Sequence, residues 1–226
     1  MIRENINKIQ DEIKASLLAS VLKQDLKLIA VSKYHTTTAI LEAHAAGQRC
    51  FGESRVQELL EKKSGLPDDI EWHMIGHLQG NKVKDAIACS DYIHGVDSLK
   101  LLKRIDLLAS ESGTIQNCLL QVNISGEDAK SGFSADELRQ AVEQILALKS
   151  VNPCGLMTMA PITADETELS EIFSSTRILR DSLEESGMCL PELSMGMSRD
   201  YKSAIKQGAT MVRIGTALFG PAEKTH

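Results

Sequence analysis

From residue 28 to residue 215 the chain repeats one unit, a short apolar or β-branched run followed by a stretch with helical spacing. The runs fall at 28–32, 49–52, 71–76, 92–96, 118–124, 154–157, 192–195 and 211–215. Helical patterns between them include 38–46, 56–63, 135–148, 166–186 and 200–207. Several end in glycine, at Gly47, Gly65, Gly113, Gly187 and Gly208, the residue that most easily takes the left-handed C-cap conformation. Eight such units with no Pro- or Gly-rich linker predict an α/β fold, a closed (β/α)₈ barrel. An amphipathic helix, about 2–22, precedes them, so the expectation is one domain over 1–226, with a helical lead of 1–24 and a barrel over 26–220. The competing architecture is an open doubly wound sheet. Its first βα turn would carry G-x-G-x-x-G, and Ser32-Lys33-Tyr34-His35 does not.

Composition narrows the functional class. A hydrophobic fraction of 42% and a charged fraction of 25% are ordinary for a globular chain with a full core. A net charge of −6, with no long Lys/Arg block, argues against nucleic acid as the main partner. The pairs Lys62-Lys63 and Lys82/Lys84 read as solvated helix faces. Five dispersed cysteines without a C-x-x-C pair read as reduced thiols. No run has the length of a membrane span, and the charged amphipathic start lacks the apolar stretch of a signal peptide. The expectation is a cytoplasmic protein without membrane contact, and a monomer by default.

In a barrel of this type chemistry sits at the C-terminal ends of the strands, and the unusual residues fall there. They are Lys33, Gly52-Glu53-Ser54, His73 to His77, Asp97, Asn123, Met157, Ser194 to Ser198 and Arg213 to Gly215. Ser194, Gly196, Ser198, Gly215 and Thr216 follow the last two strands, where glycine lets the backbone approach an anion and hydroxyls add donors. Barrels of this type often hold phosphate there. A lysine at the end of the first strand, in a fold with a phosphate nest elsewhere, suggests a phosphorylated aldehyde held as an imine. Pyridoxal 5′-phosphate (PLP), covalent on Lys33, is the candidate. The amine must be unprotonated to react, and partial burial or neighbouring cations at the mouth favour that form. Alone, Lys33 would read as a surface lysine at a strand end. Arg213 is placed to reach either the phosphate or the pyridine nitrogen, or to pair with a carboxylate on the rim. His73 and His77 stand at i, i+4, but Gly76 makes that segment a strand and turn, which separates the rings and argues against a metal pair. His73 then either touches the cofactor or fills the core. Met157, Met159, Met195 and Met197 read as packing by residue type. Lys130 is either a second amine above the mouth or an exposed loop lysine.

Several motifs resemble the pyridoxal phosphate homeostasis protein family. They are Val31-Ser-Lys33, Phe51-Gly-Glu53 with Gln57-Glu58, and Trp72-His-Met-Ile-Gly-His-Leu-Gln-Gly-Asn-Lys82. Gln121-Val-Asn-Ile-Ser125, Lys130-Ser-Gly132, Gly155-Leu-Met157, Leu193-Ser-Met-Gly-Met-Ser198 and Val212-Arg-Ile-Gly-Thr-Ala-Leu-Phe-Gly220 continue the match in order. The resemblance implies a barrel like the N-terminal domain of alanine racemases, with PLP on Lys33. It also implies a role in holding PLP, delivering it to apo-enzymes and balancing amino-acid and keto-acid pools, without established turnover. The family has Gly-Glu-Asn after the second strand where this chain has Gly52-Glu53-Ser54, a shorter hydrogen-bonding side chain. Position and resemblance together nominate a cofactor set of Lys33, Ser54, His73, Met157, Ser194, Gly196, Met197, Ser198, Arg213, Gly215 and Thr216.

Three functions compete: a PLP carrier, a PLP-dependent racemase, and a barrel enzyme using Lys33 as a Schiff base toward a phosphorylated substrate. Racemisation needs an acid/base group on each face of the cofactor adduct. Racemases that this barrel resembles take one from a separate β domain, which this sequence is expected to lack. Tyr34, His73 and Tyr201 are the substitutes available. The carrier is the favoured expectation, because a mouth open to water also lets the cofactor exchange.

Overall fold

The computed structural model describes residues 1–124 and 131–221. Among the described residues the strands are β1 (Lys27–Val31), β2 (Cys50–Glu53), β3 (Glu71–Met74), β4 (Tyr92–Val96), β5 (Gln116–Gln121), β6 (Val151–Met157), β7 (Glu192–Met197) and β8 (Met211–Ile214). All neighbours are parallel and β8 pairs back onto β1, so the eight strands close into a barrel. The helices are α1 (Ile2–Ala19), α2 (Thr37–Ala45), α3 (Val56–Lys63), α4 (Val83–Cys89), α5 (Leu99–Glu111), α6 (Ala135–Leu146), α7 (Glu166–Glu185), α8 (Tyr201–Lys206) and α9 (Thr216–Phe219). The barrel with a leading helix is the architecture expected from the repeat. No helix among the described residues is long and apolar enough to cross a membrane.

The last βα unit departs from the repeat. Among the described residues only the four-residue α9 follows β8, too short to cover the β8–β1 seam. The leading helix α1 fills that place, packed against α2, α8 and α9. Its stripe Ile2, Ile6, Ile9 and Ile13 is buried, and each such side chain contributes about 1.5–3 kcal/mol on leaving water. Polar clips set its register. Asn5 donates to the Leu218 carbonyl at 2.9 Å, and the Glu12 carboxylate accepts from the Tyr201 hydroxyl at 2.5 Å and from Lys202 at 2.7 Å. Helix α1 stops at Ala19 rather than near residue 22, with Leu18 and Val21 left exposed.

Helix ends follow local chemistry. Ser134 with Glu137, and Asp165 with Glu168, form capping boxes that start α6 and α7. Gly47, Gly113, Gly187 and Gly208 take positive φ where helices end. Gly65 does not, because α3 finishes in an ordinary right-handed turn at Ser64. Strand β6 starts at Val151, three residues before the expected 154. Pro153 has no N–H for the ladder, and the register shifts between Cys118 and Leu119 of β5 opposite it.

Two apolar layers result. Ile29, Leu119, Cys154, Met157 and Met211 fill the barrel interior, while Phe51, Trp72, Leu102 and Phe173 lie in the larger layer between strands and helices. The interior also carries buried polar groups, His73, His94, Ser194 and Arg213 among them, which apolar packing does not require.

Candidate active site at the C-terminal mouth

Lys33 stands exposed two residues beyond β1, where the sequence argument had looked for partial burial. The next residue, Tyr34, has φ 66, the single positive φ outside glycine among the described residues. A tyrosine held there costs on the order of 1–3 kcal/mol, and such strain concentrates at functional turns. The Lys33 Nζ lies 5.8 Å from the Tyr34 ring, and the Arg55 guanidinium 5.6 Å from it.

Below Lys33 is a buried charged cluster. Glu53 is fully buried and accepts from the Ser32 hydroxyl at 2.6 Å and from Lys62 at 2.8 Å. Lys62 also donates to the Ser32 carbonyl at 3.0 Å. Burial pushes the Glu53 carboxyl above its ordinary range, with Lys62 and Ser32 pulling the other way. Lys62 is therefore turned under the strand ends and is not part of a solvated helix face. A charged pair at positions 62 and 63 gives no hint that one member points inward.

Beside β1 in the closed barrel, the last two strands end in tight turns. Gly196 has φ 92, and a Cβ there would lie 2.7 Å from the Ala204 Cβ and 2.9 Å from the Tyr201 Cα. Only glycine lets α8 approach so closely. The Met197 N–H is held by the Asp200 carboxylate at 2.5 Å. Met197 and Thr216 are exposed on the rim, and Ser198 and Gly215 are partly so. A Cβ on Gly215 would sit 3.2 Å from the Val31 carbonyl, so the turn after β8 lies directly against the end of the strand that carries Lys33. Gly196, Met197, Ser198, Gly215 and Thr216 thus come together as two adjoining rim turns.

Ser194 does not join them. Strand β7 runs on to Met197, two residues further than expected, and Ser194, in register with Met157, faces the barrel interior at 0% exposure. There it binds Arg213, which is 4% exposed. One terminal nitrogen of Arg213 donates to the Ser194 carbonyl at 2.8 Å and to its Oγ at 2.5 Å; the other donates to the Thr158 carbonyl at 2.9 Å. A guanidinium has five N–H groups. Three of those N–H groups are thus spent on Ser194 and Thr158. Burial draws the Arg213 pKa down to about 10, against the opposing charge of Asp200.

His73 lies deeper in the interior than the rim residues. Its Nε2 is 2.9 Å from Glu71, its Nδ1 is 2.9 Å from His94, and its ring stacks on Tyr92 at 4.8 Å. Both ring nitrogens are thereby occupied. Desolvation pushes its pKa below the ordinary value, and that of His94 well below. His94 was missed in the sequence, although the period-two pattern of β4 places it on the same face as Tyr92. His77 is exposed and pairs with Asp97 at 3.2 Å, apart from His73. Ligand-type atoms of Cys50, Glu71 and His73 lie within 4.8 Å of one another. The carboxylate already accepts from Lys27 and His73, and burial pushes the Cys50 thiol up to about 12, so the trio is an internal hydrogen-bond group.

Met157 sits in the interior core, paired in register with Ser194. Ser54 is the first residue beyond β2, and its backbone carbonyl lies where a Cβ on Gly76 would clash. Lys130 lies outside the described residues. A cavity of about 700 Å³ opens at the opposite, N-terminal end, lined by Lys23, Lys27, Arg177 and Glu192 among others. It is remote from the loops that carry Lys33, and barrel chemistry belongs to the other end.

Residues 1–223 match the family model described as alanine racemase, N-terminal domain. A protein of Aquifex aeolicus named pyridoxal phosphate homeostasis protein is 40% identical over 220 residues, 96% of each chain. One of the same name from Schizosaccharomyces pombe is 37% identical over 226 residues, 97% of this chain and 94% of the other. Among solved structures, PipY of Synechococcus elongatus with PLP bound is 39% identical, covers 97% of this chain and 100% of that one, and has a TM-score of 0.87. Its PLP-free form gives 0.90 over the same coverage. A likeness in fold alone extends to the alanine racemase of Clostridium difficile, 19% identical with a TM-score of 0.78 over 99% of this chain and 57% of the other. With agreement over nearly its whole length in sequence and in fold, the chain belongs to the pyridoxal phosphate homeostasis protein family, which is built on the alanine racemase N-terminal domain.

Proposed function

We propose that the protein binds PLP at the C-terminal mouth, covalently through Lys33, and holds it for intracellular supply to apo-enzymes. The observation that carries this reading is the juxtaposition at the β8–β1 seam. An exposed amine stands beside two glycine-bearing rim turns, above a buried arginine. The donor set fits the group. Rim N–H groups with the Ser198 and Thr216 hydroxyls suit a phosphate, and the exposed Lys33 amine suits an aldehyde. Arg213, sunk below the rim, suits the polar end of the ring. Ser54 and Met197 border the same mouth and would contribute one hydroxyl and packing, with Met157 in the core beneath them. PLP supplies an aldehyde that condenses with amines and a ring that accepts electron density.

Residue placement favours a carrier over a racemase. Arg213 keeps its charge while buried, so a ring nitrogen against it stays unprotonated and the ring is a weaker electron sink. The tyrosine and histidine candidates for the second acid/base are badly placed. His73 has both nitrogens occupied, and the Tyr201 hydroxyl is held by Glu12 on α1. Tyr34, exposed at the mouth, adjoins Lys33 itself. The name and the PLP-bound structure of the relatives agree with the carrier reading.

The test is the visible absorption spectrum of purified protein, followed by borohydride reduction and peptide mapping, with Lys33→Ala in parallel. The expected result is an absorption band trapped on the peptide containing Lys33 and lost in the variant, with no interconversion of alanine enantiomers. A colourless protein that takes up no added PLP overturns the reading.

A further inference from the structure

A hydrogen-bonded chain runs through the barrel interior from Arg213 toward the opposite end. Its links are Arg213 to Ser194 Oγ at 2.5 Å, Ser194 Oγ to His94 Nδ1 at 3.0 Å, His94 Nε2 to His73 Nδ1 at 2.9 Å, and His73 Nε2 to Glu71 Oε1 at 2.9 Å. Lys27 closes the far end, donating to the same carboxylate oxygen at 2.8 Å, where the Cys50 thiol also donates at 3.5 Å. Residues from β8, β7, β4, β3 and β1 are joined in one line.

The ends dictate the direction of every proton in it. A guanidinium only donates, and an ionised carboxylate only accepts. Ser194 Oγ accepts a hydrogen bond from Arg213 and donates its own hydrogen to His94 Nδ1. His94 must then carry hydrogen on Nε2 and donate it to His73 Nδ1. His73 in turn carries hydrogen on Nε2 and donates to Glu71. Lys27 and His73 hold the Glu71 carboxyl down at about 2, so the acceptor end stays ionised. Both imidazoles are buried and kept neutral by desolvation, in agreement with this single arrangement.

We propose that His94 and His73 are positioning residues, held as neutral Nε2–H tautomers in a one-directional chain that anchors Arg213 to the Glu71–Lys27 pair and fixes its face toward bound cofactor. The cofactor end of this inference rests on the function proposed above; the chain itself does not. A buried network is stabilising only when every member is satisfied, so loss of the remote carboxylate frees both rings to change tautomer and the Ser194 hydroxyl to reorient, and Arg213 is left held by the Ser194 and Thr158 carbonyls without a fixed hydroxyl partner.

Two measurements test it. The first is ¹⁵N NMR of the histidine rings in PLP-free protein at pH 6 to 8, assigned with His73→Gln and His94→Gln. Two neutral Nε2–H tautomers are expected, and an Nδ1–H or doubly protonated ring at either position overturns the chain. The second compares PLP dissociation and the absorption band in Glu71→Gln, which keeps an acceptor, and Glu71→Met, which removes it. Glu71→Met is expected to weaken PLP binding by about ten-fold, the loss of one charge-assisted hydrogen bond, and to shift the band. Glu71→Gln is expected to stay within about two-fold of wild type. Equal losses in both variants, or none in either, overturn the positioning role. Wild-type protein that takes up no PLP overturns the proposed function and the cofactor end together, while the tautomers still decide the chain.

Discussion

Gly196 and Ser194, two positions apart, show how far position alone carries a residue-level reading. Both were nominated for the phosphate turn because both follow an apolar run. Gly196 is in the turn and is irreplaceable for a geometric reason, a φ of 92 with α8 packed 2.7 Å from where a Cβ would stand. Gly196→Ala is therefore expected to destabilise the protein by about 2 kcal/mol or more and to weaken PLP binding, since α8 must retreat from the turn. Urea unfolding checks this, and a change below about 0.5 kcal/mol would refute it. Ser194 is instead the hydroxyl that receives Arg213, because it faces the barrel interior in register with Met157. Arg213 and Lys33 were legible as chemistry-bearing residues. Their different burial was not, since a residue type at a strand end does not reveal how deep its side chain sinks.

Helix α1 carries the chief departure at the level of elements. Its amphipathic stripe was plain in the sequence, and its task was not. It packs over α8, α9 and α2 where the described part of the last unit offers only the four-residue α9, so its contribution belongs to barrel closure and not to a detachable lead. Ile6→Ala is expected to cost about 2–5 kcal/mol, the range for a fully buried large-to-small change. Leu18→Ala, at an exposed position, should leave the stability within about 0.5 kcal/mol of wild type. Thermal melts of the two variants separate these outcomes, and equal melting temperatures would show that α1 is dispensable to the closed barrel. Pro153 is the other element-level lesson. It hid the start of β6, because a strand signal broken by proline looks like a strand that has not begun.

For the whole molecule, the buried titratable groups set a pH window. His73 and His94 have folded-state pKa values below 6.5, so the unfolded chain binds more protons and stability falls as pH drops below about 6.5. Glu71, lowered to about 2 from 4.5, extends that loss as pH falls from 4.5 toward 2, while Glu53, raised by burial, works in the opposite direction. Cys50 and Cys154, both pushed up to about 12, are kept as thiols in the fold, so stability also falls as pH rises above 9. Chemical denaturation across pH should show a plateau between about 6.5 and 9, with an acid slope of up to about 1.4 kcal/mol per pH unit for each proton of difference. His94→Phe is expected to flatten the onset of the acid limb; an unchanged acid limb in that variant would show that the histidines do not drive it. The sequence by itself determined the repeat, the parallel barrel, the end at which chemistry sits, and the lysine and glycine turns there. Period and residue type act locally, and a run of strand and helix units has few ways to bury its apolar faces. Only the tertiary structure decided that Arg213 is buried, that Lys62 turns inward, that α1 closes the seam, and that two histidines link the mouth to the opposite end. These depend on which side chains meet across a closed sheet, and that is settled by register and depth between strands far apart in the chain.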